Sequence, residues 1–261
     1  MILRRALTLA LTLAACCGAA MPAAAERLIV SLSNHRVEIT SSFTGEDLVL
    51  FGTVERDTAT VPRRGGYNLV VTVTGPQQTM RTRRKDRVLG IWVNVDSRAF
   101  VRVPSYLAIL SNRPVAEIAK PETLRQMQIG LDNFLLPQSI GPDIADTVRD
   151  DPFRAAFVRL ESQHGLYQEN SAAVTFLSPT VFRAAIPLPA DVPTGNYAIN
   201  VELFADSAPI ARTNSALEVV KAGFEQYVAN AARDHGILYG LATMMMALLT
   251  GWLASIVFRR D

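Results

Sequence analysis

Residues 236–258 read GILYGLATMMMALLTGWLASIVF, an apolar run without a single charge. About 20 such residues suffice to cross the hydrocarbon of a bilayer as one helix, so this stretch spans once with length left over for tilt. Arg233, Asp234 and His235 close it on one side, and Arg259, Arg260 and Asp261 on the other. Nearly all of the chain precedes the span and must fold on one side of the membrane. Basic residues favour the cytoplasmic face, which assigns the three residues 259–261 to the cytoplasm and the bulk to the opposite side.

The other end agrees with export. Arg4 and Arg5, the short apolar run ALTLALTLAA over 6–15, and Ala23-Ala24-Ala25 have the anatomy of a secretory signal over 1–25. Leu13-Ala14-Ala15-Cys16 also has the form of a lipidation site, with cleavage before Cys16. Cleavage after Ala25 is favoured, because an acyl anchor adds little beside a spanning helix. Cys16 and Cys17, the two cysteines, then leave with the signal, and disulfide, thiolate and cysteine–metal chemistry leave with them. The net charge of +2 gives no reason to expect nucleic acid.

Residues 26–112 read as short strands. Leu28–Leu32, Val37–Ile39, Asp47–Val54 and Tyr67–Thr74 carry β-branched or alternating apolar residues between turn signals, and Ile91–Val95 and Phe100–Val103 follow. Residues 113–170 read as a helical insertion. Pro121 opens one helix, with Leu124, Met127, Leu131, Phe134 and Leu135 at helical spacing. Asp151-Pro152 caps a second, with Phe153, Phe157 and Leu160 on one face and Gly165 as the stop. Strands resume over 171–221, as Val174–Leu177, Val181–Leu188, Tyr197–Phe204 and Ile210–Val220. The expectation is a mainly β, Ig-like sandwich, either one composite domain or two small ones. An amphipathic juxtamembrane helix over 222–235 then leads into the span, with Phe224, Tyr227, Val228, Ala231 and His235 at helical spacing.

Several short pieces fall in a familiar order. They include Leu32-Ser33-Asn34-His35, Phe43-Thr44-Gly45, Leu50-Phe51-Gly52 and Gly75-Pro76. Arg83-Arg84-Lys85 leads to Gly90-Ile91-Trp92-Val93-Asn94, and Pro104-Ser105-Tyr106, Pro193-Thr194-Gly195-Asn196-Tyr197 and Tyr239-Gly240 follow. Together they resemble a family of alphaproteobacterial transmembrane proteins. The resemblance covers essentially the whole chain after the signal. It implies a signal-bearing protein with one C-terminal span, and it carries over no activity and no catalytic residue. With the export signal and the charges, the expectation is a span in the inner membrane with the bulk in the periplasm.

Catalytic motifs are absent from the sequence. His35, His164 and His235 lie far apart with no ligand-like spacing, and each reads as structural. No G-x-S-x-G elbow and no phosphate-binding glycine loop occurs. Glu46 and Asp47 could belong to an acid pair, with nothing in the sequence to single them out. No cofactor is expected, nor any metal site.

Two features invite partners instead. In Arg81-Thr82-Arg83-Arg84-Lys85-Asp86-Arg87, a strand would set Arg81, Arg83, Lys85 and Arg87 on one face, with Arg63 and Arg64 as candidates to join them. Such a face suits an anionic partner, or else a solvated edge whose charge blocks strand pairing. Trp92, inside Ile91-Trp92-Val93, could be a contact residue for such a partner but reads rather as core. In the span, Gly236, Gly240, Thr243, Ala247, Gly251 and Ala254 recur every three or four residues, either a stripe that would let another helix approach closely or the incidental small residues of a simple anchor. The function expected from all this is a non-enzymatic, membrane-anchored interaction or accessory (scaffold) protein. It would meet a membrane protein or a second copy through its span. A module binding an envelope polymer or small molecule is the alternative, and a hydrolase a remote third.

Overall fold

The computed structural model describes residues 26–56, 66–140, 143–146, 151–223, 227–228 and 232–257. The signal, the cleavage and lipidation sites, Arg63, Arg64, Phe224, Ala231 and the tail from Phe258 onward lie outside the described residues.

Two sheets face each other. The first runs β1 (Arg27–Leu32), β3 (Gly45–Glu55), β12 (Val181–Pro189) and β11 (Val174–Phe176), all antiparallel. The second has six strands, in the order β10 (Tyr167–Asn170), β7 (Leu107–Ser111), β4 (Asn68–Thr74), β13 (Gly195–Ala205), β14 (Ala208–Lys221) and β2 (Arg36–Ile39). Its outer pairs, β10 with β7 and β14 with β2, are parallel. Each sheet therefore joins strands from before and after the helical stretch. The first segment of the chain also changes sheets between β1 and β2, at Ser33–His35, where the His35 carbonyl accepts from the Glu218 amide at 2.9 Å.

Alternation decides what goes inside. On β13, Tyr197, Ile199, Val201 and Leu203 enter the space between the sheets, where they meet Leu48 and Leu50 of β3 and Ile186 of β12. Each large apolar side chain buried this way contributes about 1.5–3 kcal/mol relative to exposure. Within the first sheet, β3 and β12 leave no room at Gly52, where an added Cβ would sit 2.3 Å from the ring of its cross-strand partner Phe182. The Tyr197 hydroxyl donates back to the Pro193 carbonyl four residues upstream at 2.5 Å, a tie of the kind that closes Ig-like sandwiches at a strand corner.

A second core lies on the outer face of the six-stranded sheet. Val70, Leu107, Ile109 and Phe204 meet the middle segment there. That segment holds α1 (Val115–Ile118), α2 (Pro121–Gln126) and α3 (Pro152–Gln163). α3 has the expected ends: the Asp151 carboxylate accepts from the Arg154 amide at 2.9 Å, Pro152 starts the helix, and His164 caps it before Gly165. Phe153 and Phe157 are buried as read, whereas Leu160 is 40% exposed and its neighbour Glu161 turns inward instead; Arg154 is buried as well. The Arg154 guanidinium donates to the Leu131, Asp132 and Phe134 carbonyls. Those residues were expected to continue α2. The helix stops at Gln126 because Gln128 (φ 56°) and Gly130 (φ 101°) turn left-handed, and Arg154 then satisfies the carbonyls that the break exposes.

The third sheet corrects the sequence reading further. It consists of β5 (Gln77–Val88), β6 (Ile91–Pro104), β8 (Pro137–Ile140) and β9 (Asp143–Asp146). β6 is one long strand where two short ones were expected, because its interruptions are bulges rather than breaks. Arg84 faces Asp96 and Lys85 faces Asn94, leaving Val95 unopposed, and a second shift falls beside Arg102. β8 and β9 lie inside the stretch expected to be helical, since PQSI and DIAD offer too few apolar residues to show a period of two. Finally, α4 (Gly236–Val257) is long and apolar enough to cross a membrane, and none of its residues is buried against the rest of the chain.

Candidate functional site

Three features survive as candidates. The first is the ribbon formed by β5 and β6. At its base Phe100 is fully buried, with its ring stacked on Phe157 at 4.4 Å, and Met80 and Thr82 of β5 also turn inward. Arg98 marks the border, its guanidinium 5.1 Å from the Phe153 ring centre and 3.4 Å from Asp96. Beyond that border the ribbon is bare on both faces.

The four cations expected on one face are placed there. Arg81, Arg83, Lys85 and Arg87 are all exposed and stand opposite Ala99, Ser97, Asn94 and Trp92 on β6. The bulge falls on β6, so the alternation of β5 continues past it. Arg84 adds a fifth cation on the other side. Among the described residues no carboxylate forms an ion pair with any of the five, and Asp86 accepts from its neighbour's backbone amide instead.

Trp92 is where the sequence reading was wrong. It is 67% exposed rather than core, because the ribbon runs past the edge of the body and no described residue covers it there. Ile91 is 68% exposed and Leu89 98%. The turn Leu89-Gly90 has both residues at positive φ, 51° and 84°, the conformation of a two-residue type I′ hairpin. Asn, Asp or Gly normally occupies its first position. Leucine there costs about 1–2 kcal/mol in backbone strain and gains no burial in return.

The second candidate was not legible in the sequence. A polar cleft of about 530 Å³ lies between the outer face of the six-stranded sheet and the base of the ribbon. Thr72, Asn200, Glu202 and Arg212 form its floor, and Arg102, held left-handed at φ 52° by the bulge, lines it from the ribbon. Glu202 is 3% exposed, with one carboxylate oxygen 3.6 Å from the Arg212 guanidinium. Its other oxygen and the Thr72 hydroxyl have no hydrogen-bond partner among the described residues. Burial raises the pKa of Glu202, and Arg212 opposes the shift. The floor residues come from three strands and the walls from a fourth and from the segment 126–137, so no local motif could announce them. The one available signal was a charged residue at position 202 on the same strand face as Phe204.

The third is α4. At 100° per residue, Gly236, Gly240, Thr243, Ala247, Gly251 and Ala254 fall within about 80° of one another. A Cβ at Gly236, Gly240 or Gly251 would meet nothing within 4 Å. The Thr243 hydroxyl donates to the Gly240 carbonyl at 2.9 Å, so this face presents no unsatisfied donor to lipid. Met245, Leu248, Leu249 and Trp252 occupy the opposite side.

The histidines are not brought together: His35 sits at the sheet change, His164 at the end of α3 and His235 just before α4. Among the described residues no group of three His, Cys, Asp or Glu side chains is arranged to hold a metal. The family model described as "Putative transmembrane protein (Alph_Pro_TM)" matches residues 27–260. No curated protein matches the chain.

Proposed function

This chain belongs to the transmembrane protein family Alph_Pro_TM, and from that premise we propose that it is a non-enzymatic accessory (scaffold) protein whose span docks a partner helix. The partner is a second copy or a different membrane protein. The protein sits in the inner membrane with its β-domain in the periplasm and its last three residues in the cytoplasm. Arg259 and Arg260 after the span, and the signal-like residues 1–25, support that orientation.

The observation that carries the reading is the two-sidedness of α4. One face is small and flat, the other bulky, and neither is covered by the protein's own domain. Lipid provides no hydrophobic drive between helices, so close packing along the small face is what such an association would depend on. In-cell crosslinking of a tagged chain, followed by mild detergent extraction and mass spectrometry, tests it. A recurrent membrane partner, or a crosslinked dimer, is expected, and Gly240→Leu should reduce its recovery several-fold. Unchanged recovery in that variant would sink the reading.

A second reading rests on the cleft. The unpaired oxygen of Glu202 and the Thr72 hydroxyl, both buried and facing a polar space of ligand size, support a small polar ligand with hydrogen-bond donors. A ligand acting there should raise the unfolding midpoint of the wild-type chain and leave that of Glu202→Gln in place.

A further inference from the structure

We propose that the β5–β6 ribbon is a membrane-docking finger: its tip, Val88, Leu89, Ile91 and Trp92, enters an anionic leaflet while Arg81, Arg83, Arg84, Lys85 and Arg87 engage the headgroup phosphates. The occupant is the lipid surface to which the chain is itself anchored. This rests on the membrane anchorage of the chain and is independent of any partner for the span.

Three observations lead here. The apolar tip is uncovered, with Leu89, Ile91 and Trp92 each more than 65% exposed on a narrow two-stranded support. Exposed apolar residues on such a support mark a binding surface rather than stray exposure. Leu89 also occupies a left-handed turn position that favours small polar residues, so the local rule is broken at a leucine that is 98% exposed. The cations behind the tip are not neutralised within the described protein, and their charge is complementary to anionic lipid. Tryptophan suits the zone between headgroup and hydrocarbon, and long basic side chains reach back from that zone toward phosphate.

The tether permits the contact. Residues 222–235 separate the end of β14 from the start of α4, which holds the domain within about 50 Å of the bilayer even if that segment is fully extended. From Arg83 to Leu89 the ribbon itself reaches about 20 Å.

Trp92 and Trp252 are the two tryptophans of the chain, which makes the test direct. The full chain carrying Trp252→Phe is reconstituted into phosphatidylcholine vesicles with and without about one third phosphatidylglycerol. Trp92 emission is then read with bromine-labelled lipids and with aqueous iodide. The expected result in anionic vesicles is a blue shift, quenching by bromolipid and protection from iodide. Arg83→Glu with Lys85→Glu should reverse all three, at about fivefold weaker docking for each cation removed. Solvent-like emission in anionic vesicles overturns the proposal. So does a blue shift without bromolipid quenching, which would mean that protein, and not lipid, covers the tip. Quenching that ignores both lipid charge and the double reversal overturns the role of the cations. In a Trp92→Phe chain, Trp252 reports on the span itself, so a failed anchor is distinguishable from a failed finger.

Discussion

The two ends of the β5–β6 ribbon are built from similar residues and meet opposite fates. At the base, Phe100 is fully buried against Phe157, and Thr82 is buried beside it. Eight residues nearer the tip on the same strand, Trp92 is two-thirds exposed. Both ends are β-paired and both hold large apolar side chains between charges. The difference is what lies across from them: α3 and the outer face of the six-stranded sheet cover the base, and no described residue covers the tip. Apolar content in a strand therefore says that something is to be covered. It does not say whether the cover belongs to the same chain.

The strongest test of that contrast is a pair of truncations, followed by denaturant unfolding of the full chain in mild detergent. Phe100→Ala should lose about 3–5 kcal/mol, as expected for a large aromatic removed from a packed core. Trp92→Ala should stay within about 0.5 kcal/mol of wild type. Comparable losses in the two would erase the distinction between base and tip. The border residue should fall between them: Arg98→Ala is expected to lose about 1 kcal/mol with its contact to Phe153, and Arg83→Ala almost nothing. At the turn the sign reverses. Leu89→Asn should gain up to about 1 kcal/mol by relieving the left-handed leucine. A loss there would show that the leucine serves the fold.

The cleft beneath the base gives the smallest effect and the one with a pH signature. Because burial raises the pKa of Glu202, folding favours its protonated form, and the stability that this group contributes is lost as pH rises through the raised value. Glu202→Gln cannot ionise. Its unfolding midpoint should rise relative to wild type as pH climbs from the ordinary glutamate range toward 8, and the gap should close at acidic pH. A gap of the opposite sign, with Glu202→Gln falling below wild type as pH rises, would mean that the ion pair with Arg212 dominates.

What could be read in the sequence follows from what each element buries. β3, β4, β12 and β13 are legible because one or both faces enter a core, and their residues record it as alternation or as apolar runs. The ends of α3 are legible because an Asp-Pro cap and a stopping glycine are local chemistry. β5 shows no such pattern, since most of its residues are polar and wet and its strand character comes from pairing with β6. The early end of α2 escapes for another reason. Leu131 and Phe134 keep a helical spacing, yet they pack on the second core from a turn that Arg154 stabilises from a distant helix. The cationic face and the small-residue stripe were legible because each lies within one element. Glu202, Thr72 and Arg102 share a cleft only after two separate sheets have come together.

The route by which β14 leaves the domain has a mechanical side. That strand is held along eleven residue pairs by β13 and clamped near its exit by β2, whose Ile39 stands opposite Lys221. A tug arriving from the bilayer through Lys221 runs along the strand axis and loads both ladders in shear. Bonds loaded in this way share the force and must give together, whereas a strand peeled from an open edge yields one bond at a time. The first segment of the domain thus acts as a strain relief for the last, at the point where lateral drag on the anchor would be felt.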